Sequence, residues 1–194
     1  QKCEAILQAW YPGQQGGKAV AEVLFGDYNP AGKLPVTFYR NVSQLPDFED
    51  YNMTGRTYRY MQDVPLFPFG YGLSYTTFGY GKTVLDKNEL TAGQSLKLTV
   101  PVTNTGKCNG EEVVQVYLRK QGDAEGPIKT LRAFKRVSIP AGKTVNVEFD
   151  LKDKELEWWD DQSNTVRVCP GNYDIMVGGS SKEEDLQRTT IAIK

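Results

Sequence analysis

Beyond Gly79 the apolar residues fall on every second position. Leu96, Leu98, Val100 and Val102 alternate with Lys97, Thr99, Pro101 and Thr103, and Val145, Val147, Phe149 and Leu151 do the same against Thr144, Asn146, Glu148 and Asp150. A period of two belongs to a strand, because successive side chains leave a pleated backbone on opposite faces; each run is therefore a strand with one face buried. Val114 to Leu118, Leu131 to Val137, Val166 with Val168, Tyr173 to Val177, and Ile191 with Ile193 supply further strands. Turn signals at Asn104-Thr-Gly106, Pro140-Ala-Gly142 and Pro170-Gly171 separate them. About seven short strands in roughly 115 residues predict a mainly β fold, an immunoglobulin-like β-sandwich over residues 79–194.

The first forty residues keep a different period. Ala5 to Trp10 is a short apolar run without alternation, the pattern of a strand buried on both faces. Tyr11-Pro-Gly-Gln-Gln-Gly-Gly17 breaks it; Val20, Val23 and Leu24 then fall at helical spacing, and Gly26 suits a left-handed stop. After the turn Asn29-Pro-Ala-Gly32, Lys33 to Phe38 reads as another strand. Residues 1–40 are thus expected to form a βαβ-like unit, a truncated α/β remnant, since one such unit cannot cover its own faces. The Gly-rich loop has neither the Gly-x-Gly-x-x-Gly spacing nor the Gly-Lys-Ser/Thr ending of phosphate-binding loops, so tight strand-to-helix packing is its better reading. The opening Gln1-Lys-Cys has no basic start leading into an apolar core, which points to a fragment or a processed piece.

Residues 41–78 read as a long irregular connector. Little periodicity survives between Tyr39 and Val64, and that stretch concentrates Asp47, Glu49, Asp50, Tyr51, Arg56, Tyr58, Arg59 and Tyr60. These groups hydrogen-bond sugar hydroxyls and stack on pyranose faces; a surface loop held by ion pairs and aromatic packing is the alternative. Pro65 to Phe78 carries two prolines, which fix φ, and two glycines, which open conformations closed to other residues, so it is expected to be rigid and kinked. Its aromatics Phe67, Phe69, Tyr71, Tyr75 and Phe78 are expected to pack partly on a domain outside this chain. Within the chain alone, some would then be exposed or covered by a second copy, a route to self-association.

Composition excludes several functions. The 194 residues include no histidine, which removes Ser-His-Asp and Cys-His nucleophile systems and His-ligated zinc. A formal net charge of -1 offers no basic face for nucleic acid, and no apolar run approaches the ~20 residues of a membrane-spanning helix. Cys3, Cys108 and Cys169 are too widely spaced for a metal site. If the strands alternate in direction, Cys108 and Cys169 lie in turns at the same end of the sandwich, which permits a disulfide in an oxidising compartment; two unrelated thiols are the alternative. Glu157-Trp-Trp-Asp-Asp161 reads either as a carbohydrate-stacking patch or, the favoured reading, as core packing.

Trp10 to Gly17, Leu24 to Thr37, Gly55 to Tyr60 and Pro65 to Phe78, in that order, closely resemble the C-terminal portion of glycoside hydrolase family 3. Val102-Thr-Asn-Thr-Gly106, Gly110 to Tyr117 and Val177-Gly-Gly-Ser180 are similar to the fibronectin type III-like domain of that family. Asp50 to Tyr60 looks more like the β-xylosidase branch than the β-glucosidase branch. The resemblance implies a retaining, exo-acting β-glycosidase for plant-type oligosaccharides, with no metal or organic cofactor. It also implies that the two catalytic carboxylates lie ahead of this chain, one in an N-terminal (β/α)8 barrel and one in the α/β domain. The chain alone would then be silent, with no catalytic residue of its own and the barrel and α/β domain as its partners. Gln14, Tyr51, Arg56 and Tyr58 are the candidates for lining the sugar site. The compartment stays open, with export favoured for the parent enzyme. The alternative is a stand-alone carbohydrate-binding or adhesion module acting through Trp158 and Trp159.

Overall fold

A computed structural model describes residues 3–194; Gln1 and Lys2, the first residues of the segment read as α/β, lie outside it. Its helices are α1 (Gly16–Phe25), α2 (Thr57–Tyr60) and α3 (Asp153–Leu156). Its strands are β1 (Phe78–Tyr80), β2 (Val84–Leu85), β3 (Glu89–Leu90), β4 (Leu96–Asn104), β5 (Gly110–Lys120), β6 (Thr130–Ile139), β7 (Thr144–Leu151), β8 (Trp158–Asp160), β9 (Thr165–Arg167), β10 (Gly171–Gly178) and β11 (Gln187–Ile193).

Two sheets face each other. In one, β4 pairs with β7 on one side and with β1 and β2 in succession on the other. In the other, the order is β3-β11-β10-β5-β6. The alternation read from the sequence is the burial seen: Leu96, Leu98, Val100 and Val102 point inward from β4, opposite Val147, Phe149 and Leu151 of β7. Val114, Val116 and Leu118 of β5, Ile175 and Val177 of β10, and Ile191 and Ile193 of β11 close the core from the second sheet. Each fully buried aliphatic side chain stabilises the fold by about 1.5 to 3 kcal/mol relative to an exposed one. Pro101, which has no N–H to donate, falls on the β1/β2 side of β4 after β1 has ended and before β2 begins; there only its carbonyl is used, by Gly81 N at 2.7 Å.

The N-terminal segment departs from expectation. Helix α1 forms and stops at Gly26, whose φ of 84° is left-handed. Ala5 to Trp10, expected as a buried strand, is unpaired and exposed throughout, and Lys33 to Phe38 contributes only a single bridge, Phe38 with Phe67. The reason is physical: a strand buried on both faces needs neighbours for its N–H and C=O groups, and the described residues place none beside Ala5 to Trp10, whereas the backbones of Leu34 and Phe38 bond only to the irregular connector, including at Phe67, Gly70 and Tyr71.

The Val166 strand also differs from expectation. It is β9, which pairs only with β8 in a hairpin outside both sheets. This corrects the placing of the two cysteines. Cys108 precedes the start of β5, whereas Cys169 precedes β10, where Tyr173 pairs with Lys120 at the far end of β5. At about 3.3 Å per residue, the 11-residue β5 holds the two roughly 30 Å apart. Both are free thiols, Cys108 exposed and Cys169 buried with its Sγ against the carbonyls of Trp158 and Arg167. One strand too many in the alternating count, the Val166 segment, put them at the same end.

Candidate functional site

The motifs that looked most distinctive meet one another. Gly70 has a φ of 77°, and a Cβ there would stand 2.1 Å from Gln115 Oε1, so only glycine fits. Gln115 Nε2 donates to Gly70 O at 3.2 Å and to Gly179 O at 2.5 Å, while the Tyr117 hydroxyl donates to Gln115 Oε1 at 2.5 Å. One buried amide thus joins the connector, β5 and the turn after β10. Next to it the Tyr58 ring stacks on Phe69, with centroids 4.2 Å apart and planes 19° from parallel, and meets Tyr117 edge-on at 5.9 Å. The Tyr58 hydroxyl accepts from Leu131 N at 3.1 Å. Burial pushes the Tyr117 phenol well above its ordinary value, with Tyr58 adding to the effect.

A second buried cluster ties down the segment before the connector. Lys33 Nζ donates to Glu112 Oε2 and to Gly72 O, each at 3.1 Å, and the Tyr80 hydroxyl donates to Glu112 Oε1 at 2.8 Å. Desolvation first, then the Glu112 charge, hold the Tyr80 phenol far up and neutral. Nearby, Asn104 donates to the carbonyls of Cys108 and Ile139 and accepts from Thr76 Oγ1, pinning the end of the connector to the β4–β5 turn.

The loop between these anchors is held differently. Side-chain oxygens of Asn41, Asp47 and Asp50 each accept from the backbone N–H two residues on, forming successive tight turns. Arg56 Nε donates to Asn52 O at 2.9 Å, and its guanidinium also reaches the Asp50 carbonyl. Arg56 therefore folds the loop around itself, and Tyr51, between those two carbonyls, is thrust outward at 90% exposure. Phe48, at 94% exposure, stands on the same loop. Sequence reasoning passed over it, because a single Phe in an aperiodic stretch carries no pattern.

Of the four residues proposed to line a sugar site, the structure brings Tyr51 and Arg56 onto one loop. Gln14 is exposed in the turn leading into α1, and no hydrogen bond joins it to that loop among the described residues. Tyr58 is committed elsewhere: its ring and hydroxyl are consumed in the seam, so it does not present a face to a ligand. Beside α1, the segment through Leu7, Ala9 and Pro12 leaves a shallow apolar groove of about 170 Å³ against Ala19, Val20 and Val23. The five connector aromatics are not all covered: Tyr75 is 52% exposed, although its hydroxyl reaches the Val23 carbonyl of α1.

The two buried carboxylates are both fully engaged. Glu112 is bonded as described, and Asp174 accepts from Gln121 Nε2 at 2.7 Å and Thr190 Oγ1 at 2.9 Å, with Arg188 3.6 Å away. Neither faces a cleft as a free acid or nucleophile. No group of three metal-ligating side chains comes together among the described residues.

Comparison with known proteins follows the same division. Residues 1–75 match the glycosyl hydrolase family 3 C-terminal domain, and residues 112–181 match a fibronectin type III-like domain. A xylan 1,4-β-xylosidase of Xylanibacter ruminicola is 55% identical over 193 residues, which are 100% of this chain and 22% of that protein. A β-xylosidase of Formosa agariphila is 43% identical over 98% of the chain and 27% of its own length. Among solved structures, a β-glucosidase of Erythrobacter marinus superposes with a TM-score of 0.81 at 41% identity, covering 95% of this chain and 24% of that one. The chain thus spans about a quarter of the length of the relatives it matches.

Proposed function

Since the chain belongs to the C-terminal region of glycoside hydrolase family 3 and carries that family's fibronectin type III-like domain, we propose that it serves as the C-terminal part of a retaining, exo-acting β-xylosidase acting on plant-type oligosaccharides. The observation that carries this reading is the 55% identity, over the whole chain, to a xylan 1,4-β-xylosidase. In this reading both catalytic carboxylates lie on the barrel and α/β domain, which act as its partners, and the chain by itself turns over no glycoside. The commitment of Glu112 and Asp174 to internal partners supports that silence. The chain's contribution is a rigid base, with Tyr51 and Arg56 on a self-supporting loop at the rim of the sugar site, and Gln14 at the helix entry a further candidate. The apolar groove beside α1 and the exposed Tyr75 suit packing against the α/β domain. Assay of the purified chain on aryl β-xylosides and β-glucosides tests the proposal: no release of aglycone is expected, and turnover at the rate of a normal glycosidase overturns it.

A further inference from the structure

The β8–β9 hairpin lies outside both sheets, yet one of its faces is anchored firmly. Trp158 is 3% exposed, donates its Nε1–H to Asp123 Oδ2 at 2.6 Å, meets Tyr173 edge-on at 6.1 Å, and carries the Arg132 guanidinium over its ring at 5.7 Å. Adjacent strand residues point to opposite faces, so this anchoring aims Trp159 outward. Trp159 is 49% exposed, and Val166, directly opposite it in the pair, is 56% exposed. The Trp159 indole does not swing freely: its Nε1–H donates to Asp161 Oδ1 at 2.8 Å. Below the hairpin edge, Asp160 is held by Ser163 Oγ at 2.6 Å and Arg167 Nε at 2.7 Å, which stiffens the turn.

We infer that this outer face is an accessory binding platform for a neutral β-linked oligosaccharide, separate from the Tyr51 and Arg56 loop. An indole whose only donor is already spent on Asp161 offers a partner its flat π-face alone, which is what the C–H face of a pyranose stacks upon. The second carboxylate oxygen of Asp161 can accept from a sugar hydroxyl, and Val166, paired with Trp159, extends the exposed apolar surface beside the indole. A rigid, pre-oriented ring costs little entropy to occupy, as a binding surface requires. The assignment of the ligand as a plant-type β-glycan rests on the proposed function, whereas the platform itself rests on the hairpin geometry.

The test is native affinity electrophoresis of the intact chain through gels containing soluble β-1,4-xylan, with an α-linked dextran gel as the control, followed by titration of Trp fluorescence with xylohexaose. Retardation in xylan but not dextran is expected, with Trp159→Ala weakening binding roughly tenfold or more and Trp159→Tyr retaining most of it. Val166→Asp, which sets a charge beside the indole without touching the anchor, should weaken binding as well. Unchanged thermal unfolding of each variant shows that the fold persists. No retardation of the parent chain, or equal retardation of the parent and Trp159→Ala, overturns the inference. Because these are binding measurements on a chain expected to be inactive, they fail independently of the glycosidase reading.

Discussion

Lys33 Nζ lies 3.1 Å from Glu112 Oε2, a partner 79 residues away, and the pair is nearly closed off from solvent, with side-chain exposures of 15% and 5%. It joins the segment that follows α1 to the second sheet of the sandwich.

Removing one member of such a pair leaves the other charge buried without a partner. Glu112→Ala, which also strips the Tyr80 hydroxyl of its acceptor, is expected to cost about 3 to 5 kcal/mol in urea unfolding, and Lys33→Met a similar amount. The double variant Lys33→Met/Glu112→Leu should recover much of the loss. Single variants within about 1 kcal/mol of the parent would show that the pair does not hold the segment.

Tyr58 gives a graded test of the seam. Tyr58→Phe keeps the stack on Phe69 but leaves Leu131 N without its acceptor, an expected loss of about 1 to 2 kcal/mol. Tyr58→Ala also loses the ring and is expected to cost about 3 to 4 kcal/mol. Limited proteolysis should then cut first between residues 41 and 64. Equal stabilities for the two variants would place the energy elsewhere.

The seam also shows which features a sequence discloses. The core strands were readable because alternation and burial are the same fact: Val100 and Val147 face each other in the register that their patterns require. Helix α1 and its Gly26 stop were readable for a similar local reason. Ala5 to Trp10 was misread because apolar content reports a need for burial and not whether a neighbour is present. β1, β2 and β3 were not foreseen, since two or three residues carry no period. At the candidate site, the sequence marked Tyr51, Arg56 and Tyr58 alike by residue type. Only the three-dimensional arrangement separates the exposed Tyr51 from the inward Tyr58, because contacts across more than 70 residues leave no local signature.

Alkaline pH should unfold the chain through three phenols. Burial, the largest cause in each case, pushes Tyr80, Tyr117 and Tyr173 above the ordinary tyrosine value of 10.0. The folded-state value is raised, so the stability from keeping them neutral is fully present below about pH 10 and is lost as pH rises from there toward the folded values. Of the 11 tyrosines, these three are expected to ionise only together with loss of the near-ultraviolet circular dichroism. Ionisation of every tyrosine with the fold intact would contradict this.

The cysteines should behave as three separate thiols. Cys3 and Cys108 are exposed and are expected to react with a thiol reagent in the native state, whereas Cys169 should react only on unfolding. Mild oxidation should leave no link between Cys108 and Cys169 within a monomer, as peptide mapping by mass spectrometry can show. A Cys108–Cys169 peptide from native monomer would contradict the strand arrangement.

The most direct measurement joins this chain to the preceding part of the Xylanibacter ruminicola xylan 1,4-β-xylosidase, in place of its own matching C-terminal segment, and assays the chimera and the chain alone on an aryl β-xyloside. The expected result is an active chimera beside a silent chain, with Tyr51→Ala or Arg56→Ala in the chimera lowering kcat/KM by roughly tenfold or more while the fold persists. Turnover by the chain alone, or a folded chimera that hydrolyses nothing, would contradict the assignment of this chain as the supporting C-terminal part of a family 3 β-xylosidase.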